Sequence, residues 1–362
     1  MTTTIPQDVI QRFAFKSMFT RIAMGFAFSA ALGCAADWDP AAAAKYLDSR
    51  QEKWFAWPTA VSKGGPCLSC HTGITYMLAR PVVRRALGET APARWETGML
   101  EGLKARVEDN SPLDHLGRAQ VVLAALALAA DDQRSGRGLS GETEAAFRRM
   151  WSLQARDGTL KGAFPWATGT LEPYASDATY MGASLAALAV AMAPGNYRSR
   201  LEIRENLDAL ENYLRNSANG QALHHRLISL WASAKLKGLL PEAAAQQILK
   251  ETWQGQEADG GWTLKSLGPW KDHPQAPAQP GSNAYATALV ALSVQEYGIS
   301  REDPRMVKAL NWLKAHQDSR DGAWAAASFN KQYEAGSMQI EFMRDAATGF
   351  AVLALLGGTG LH

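Results

Sequence analysis

The stretch "NWLKAHQDSRDGAW", residues 311–324, followed by "RDAATGFAVLALLGG", residues 344–358, decides how this chain folds. It joins two helices of opposite character across an Asp-Gly turn. In the lead-in "DPRMVKALNWLKAH" (303–316), Met306, Val307, Leu310 and Leu313 recur at helical spacing, while Lys308, Asn311 and Lys314 take the other face. That is the pattern of a surface helix. The second stretch is apolar nearly all round after Arg344 and Asp345, so it needs protein or lipid on every side.

The same plan recurs upstream. "MWSLQARDGTLKGAFPW" (150–166) leads to "SDATYMGASLAALAVAM" (176–192), and "ETWQGQEADGGW" (251–262) leads to "SNAYATALVALSVQEYG" (282–298). Weaker copies complete a series, with amphipathic outer helices expected at about 41–54, 90–109, 141–154, 198–216, 241–256 and 303–317. Apolar inner helices are expected at about 71–87, 114–130, 177–192, 222–238, 283–298 and 345–357. The apolar runs are short for a bilayer and alternate with charged helices, so protein is the expected surrounding. Six hairpins that each need neighbours can stack as an open solenoid or close into a ring. A ring spares the alanine-rich inner helices from water, so the expected class is all-α, an (α/α)6 toroid of six outer and six inner helices.

The turns "QEADGGW" (256–262), "QARDGTL" (154–160) and "HQDSRDGAW" (316–324) resemble the Gln-Trp repeats of the terpene cyclase and protein prenyltransferase superfamily, which includes the squalene-hopene cyclases. The resemblance runs from about residue 40 to the end and implies the α/α toroid. It does not bring that family's chemistry with it. Squalene-hopene cyclases protonate an alkene with an Asp-x-Asp-Asp motif, and the nearest stretch here, "ALAADDQR" (127–134), has Ala129 in the first place. An aspartate-rich magnesium motif is missing too, and prenyltransferase β-subunits work with a cytosolic partner subunit. By the same resemblance Gln154, Gln256 and Gln317 should bond backbone between adjacent repeats, with Trp262 and Trp324 packed over the joints.

The first residues point away from the cytosol. Arg12, Lys16 and Arg21 precede the apolar run "IAMGFAFSAALG" (22–33) and the small residues "CAA", so 1–36 reads as an export signal and 37–362 as the single toroid domain. The expected location is periplasmic or secreted. Cys34 in "ALGC" stands where a lipoprotein box carries its acylated cysteine, so a lipid anchor through Cys34 is an alternative, although Ala31 replaces the usual leucine. The formal charge of +2 is accounted for by that leader, which leaves no basic footprint for nucleic acid.

Between the first outer and inner helices lies "KGGPCLSCHTG" (63–73), where Cys67, Cys70 and His71 form C-x-x-C-H. Three readings follow from the residues. In the haem c reading the two thiols form thioethers to the porphyrin and His71 ligates iron. The spacing and the export signal both favour it. In the zinc reading the thiolates and His71 join a fourth ligand. In the third they are a redox or disulfide pair tuned by His71.

His115, heading the neighbouring inner helix, is the expected distal iron ligand, while Met77 points away from a haem held by His71. Asp177, Tyr180, His224 and Trp166 are pocket candidates at the mouth, with Tyr174, Trp270 and His225 nearby. Asp114, Asp177, Asn283 and Asp345 stand at inner-helix heads, where capping of backbone amides is the simpler role than that of pocket acids. The expected function is electron transfer or ligand binding by an exported haem protein, with a redox partner or a small apolar or saccharide ligand. The alternative is a toroid enzyme, a zinc- or carboxylate-dependent lyase or hydrolase.

Overall fold

The computed structural model describes residues 37–62, 65–107, 113, 115–164, 166, 178–270, 274–328 and 331–360. The expected export signal and Cys34 lie outside them. The described residues form twelve α-helices: α1 (Pro40–Ala56), α2 (Gly73–Ala86), α3 (Arg94–Val107), α4 (His115–Ser135), α5 (Gly141–Ser152), α6 (Thr179–Met192), α7 (Arg204–Ser217), α8 (Leu223–Ser233), α9 (Glu242–Gln254), α10 (Ala284–Tyr297), α11 (Pro304–Ala315) and α12 (Phe342–Leu356). A two-residue ribbon, β1 (Val61–Ser62) with β2 (Gly65–Pro66), precedes α2. The molecule is all-α.

Local chemistry starts and stops these helices. Asp39 Oδ1 accepts from the amides of Ala41 and Ala42 at 2.8 and 2.9 Å, with Pro40 as the first helical residue of α1. Asp303 and Pro304 repeat the arrangement at α11. Asn283 caps α10 by accepting from Tyr285 and Ala286, in the role expected of it. Pro81 inside α2 has no N–H, and the carbonyl it leaves without a donor, that of Met77, accepts instead from Arg134 Nη2 at 2.9 Å.

The even-numbered helices carry the core. In α10 every residue from Ala284 to Val294 is buried, and α6 is nearly the same. Their neighbours are one another: α2 packs on α4, α4 on α6, α6 on α8, α8 on α10, α10 on α12, and α12 on α2. The odd-numbered helices pack against these, α1 against α2 and α12, α7 against α6, α9 against α8, and α11 against α10 and α12. Small residues permit the close inner approach. A Cβ on Gly349 of α12 would lie 2.6 Å from Thr75 Cβ of α2. One member of the expected apolar stripe on α11 departs from it, since Val307 is 40% exposed.

The Gln-Trp turns join successive pairs. Gln256 Nε2 donates to Gly260 of its own turn and to Arg305 at the start of α11, both at 2.9 Å. Gln154 does the same with Gly162 and Asn206. Gln317 donates to Gly322 and to Asp39, the cap of α1, while Asp39 N donates back to its Oε1 at 2.6 Å. The last turn is therefore bonded to the first helix. Trp262 and Trp324 are fully buried over these joints, their indole N–H groups donating to Thr252 and Leu313. In the 150–166 copy the buried aromatic is Phe164 rather than the leucine of "QARDGTL", because Leu160 is 44% exposed.

Candidate functional site

The C-x-x-C-H segment is fastened on both sides. Cys67 N donates to Ala60 O and Cys67 O accepts from Trp54 Nε1, which ties it to the end of α1. Leu68 is fully buried, and its amide donates to Gln120 Oε1 of α4 at 2.7 Å. Ser69 then turns the chain into α2. Its Oγ accepts from the amides of His71 and Thr72 at 3.1 and 3.0 Å, and its carbonyl accepts from Ile74. This serine meets the need of a helix start that has no capping bond from Thr72 itself.

Cys67 and Cys70 are half-buried and are not joined to each other. Burial pushes the Cys67 thiol upward, against an opposing pull from Arg106, so it is a thiol rather than a thiolate at neutral pH. Cys70 Sγ lies 3.3 Å from His71 Nδ1. The imidazole stacks on Phe342 of α12, with centroids 5.3 Å apart and planes 13° from parallel. Burial lowers its pKa to about 4, so the ring is neutral at neutral pH. Phe342 in turn meets the edges of Trp54 and Trp57 at 5.9 and 6.2 Å.

Beneath this segment lies a buried charge pair that sequence reading did not anticipate. Asp345 is 1% exposed and Arg50 4% exposed. The carboxylate accepts from Arg50 Nε at 2.6 Å and Nη2 at 3.1 Å, from Tyr46 OH at 2.9 Å, and from Thr72 Oγ1 at 2.6 Å. Burial pushes its carboxyl above the usual range, and these donors oppose that shift. Thr72 follows His71 directly, so the cluster anchors the residue next to the imidazole. The expectation that Asp345 heads and caps its helix is corrected: α12 begins at Phe342, which places Asp345 in its first turn, facing α1 and α2.

The other expected site residues lie elsewhere. Asp114 and Asp177 fall outside the described residues, as does Tyr174. His115 opens α4, and its side chain is also outside them. Tyr180 is fully buried, and its hydroxyl donates toward Leu214 O and Ser229 Oγ at 3.2 and 3.3 Å. Trp166 packs against Gly182 of α6, where a Cβ would stand 2.8 Å from its ring. His224 is 1% exposed, with Nε2 2.7 Å from Tyr285 OH and its ring against Trp270 and His225. Its Nδ1 is buried without a partner among the described residues, and burial, with His225 beside it, holds the imidazole neutral. Met77 is buried in the core. Asp132 of "ALAADDQR" accepts from the amide of Ser140 at 2.7 Å at the C-terminal end of α4.

A cleft of about 960 Å³ opens beside α1, lined by Lys45, Arg50, Lys53 and Trp57 on one side and by Arg320, Asp321, Glu341 and Arg344 on the other. Sequence reading gave no sign of it, because its walls are about 270 residues apart in the chain. Among the described residues no group of three or more His, Cys, Asp and Glu side chains converges as a metal site, and no helix is long and apolar enough to cross a membrane. The chain matches no known family model, and no curated protein matches it.

Proposed function

We propose that this chain is an exported (α/α)6 toroid carrying one covalently attached haem c at Cys67, Cys70 and His71, and that it serves in electron transfer. The observation that carries the reading is the geometry of the C-x-x-C-H segment: two half-buried thiols, with Cys70 Sγ 3.3 Å from His71 Nδ1, held at the start of α2 by the hydrogen bonds of Ser69 and Gln120. The donor chemistry fits the group. Cys67 and Cys70 would carry the thioethers, and His71, with Nδ1 turned to Cys70 Sγ, would offer Nε2 to the iron. When bound, the haem supplies one-electron redox chemistry.

The chain's own residues do the rest. Ser69, Gln120 and Trp54 hold the loop, the Asp345–Arg50–Thr72 cluster holds the helix start, and Phe342 covers one face of the imidazole. The Gln317–Asp39 bonds and the packing of α12 on α2 support closing the six pairs into a ring, in keeping with the resemblance to the terpene cyclase and prenyltransferase repeats. Export, whether or not Cys34 is lipidated, would take the chain to the compartment where such haem attachment occurs.

Absorption of protein matured outside the cytoplasm tests the reading. A Soret band that survives acid-acetone extraction is expected, and Cys67→Ser/Cys70→Ser should reduce it to extractable haem or none. A colourless protein holding one zinc ion per chain would contradict it.

A further inference from the structure

We propose that the cleft between α1 and residues 320–321 and 336–344 is the docking site of an anionic one-electron carrier, and that Trp57 and Phe342 bridge from it to His71. The proposal rests on the haem reading above and adds the route and the charge of the partner.

The α1 wall supplies the charge. Lys45, Ser49 and Lys53 stand four residues apart and share one face of the helix, a row about 12 Å long. Both lysines are exposed and neither has an ion-pair partner among the described residues. Arg50 lies at the floor, its Nε and Nη2 bonded to Asp345 and to Met338 O. The opposite wall has no free cation among the described residues and is slightly anionic, since its two arginines meet three carboxylates: Arg344 is shared among Asp318, Asp321 and Glu341, and Arg320 is held by Asp318. The unneutralised positive charge therefore sits on α1, where carboxylates or another anionic surface would meet it. The cleft is wide enough for an inserted acidic group, and charge of this kind steers encounter more than it adds affinity.

The aromatic side chains supply the contact with the site. Trp57 lines the cleft, its ring lies 6.2 Å from Phe342, and Phe342 stacks on His71 at 5.3 Å. No gap wider than one ring contact separates the cleft wall from the imidazole. A haem held by Cys67, Cys70 and His71 would supply one electron to a one-electron acceptor seated in the cleft, with no bond made or broken and no proton exchanged. A one-electron donor would run it in reverse.

Two measurements on the full protein test this. In stopped flow at low salt, oxidation of the ferrous protein by hexacyanoferrate(III) should slow about tenfold in Lys45→Glu/Lys53→Glu, while oxidation by the cationic tris(phenanthroline)cobalt(III) should quicken. Both differences should collapse at about 0.5 M salt. In NMR, the inert paramagnetic anion hexacyanochromate(III) should broaden the Trp57 indole N–H signal of the wild type and spare it in the double variant. A haem protein whose hexacyanoferrate kinetics ignore the two charge reversals, or whose Trp57 signal is not broadened, overturns the docking site and leaves the haem reading standing. A colourless protein overturns the electron route together with the haem reading, and the broadening then shows only whether the cleft binds anions.

Discussion

Asp345 is the residue on which the site's neighbourhood depends most. Removing its charge leaves the Arg50 guanidinium buried without a counter-ion, a change that typically costs about 3–5 kcal/mol. Asp345→Asn should lower unfolding stability by that order in urea titrations, and Asp345→Leu combined with Arg50→Met should recover most of the loss. If the single substitution costs under about 1 kcal/mol, the carboxylate is not carrying a charge in the native state. His224 makes a separate prediction. Its folded pKa is depressed by burial, so above its unfolded value of 6.5 it adds no pH dependence. Below that value the unfolded chain takes up a proton that the folded chain refuses, so stability falls with pH at about 1.4 kcal/mol per unit from this residue alone. His224→Gln should flatten the fall between pH 6.5 and 5.5 in denaturant titrations; an unchanged slope would mean that the ring already charges in place.

At the scale of elements, alternation of amphipathic and all-apolar segments was readable because helix period and caps are local properties. All twelve helices stand close to where periodicity places them, and Asn283 caps as its type and position suggest. Misplacements have tertiary causes. Asp345 reads as a cap, yet its partners Tyr46 and Arg50 belong to a helix about 300 residues away, and a short 3-10 turn, Met338–Glu341, starts α12 earlier. The turn at 154–164 has no tryptophan at the place of Trp262 and Trp324, and Phe164 is the aromatic it buries. The inner helices meet through small residues, and this gives a further prediction. Gly349→Ala would press a methyl to 2.6 Å from Thr75 Cβ, so α12 and α2 must part, costing about 1–3 kcal/mol. Gly141→Ala, where nothing lies within 4 Å, should leave the melting temperature unchanged or slightly raised. Equal melting temperatures for the two variants would mean that the α2–α12 contact is looser than described.

At the scale of the whole molecule, the bond from the last Gln-Trp turn to Asp39 makes the ends of the chain dependent on each other. Gln317→Ala should therefore cost as much as Gln256→Ala, about 1–3 kcal/mol for the bonds each makes, although only the first joins opposite ends of the sequence. A loss confined to Gln256→Ala would indicate that α1 and the last turn are not held together. The C-x-x-C-H motif was legible because it is five consecutive residues. Its surroundings were not, since the Phe342 stack, the Asp345 cluster and the cationic cleft exist only where the last helix returns to the first. The claim that those five residues bear haem is tested most directly by mass spectrometry of the tryptic peptide 64–84 from protein matured outside the cytoplasm. The predicted mass is that of the peptide plus one haem, with fragments placing the addition on Cys67 and Cys70; a peptide with two unmodified or mutually oxidised cysteines would contradict the claim.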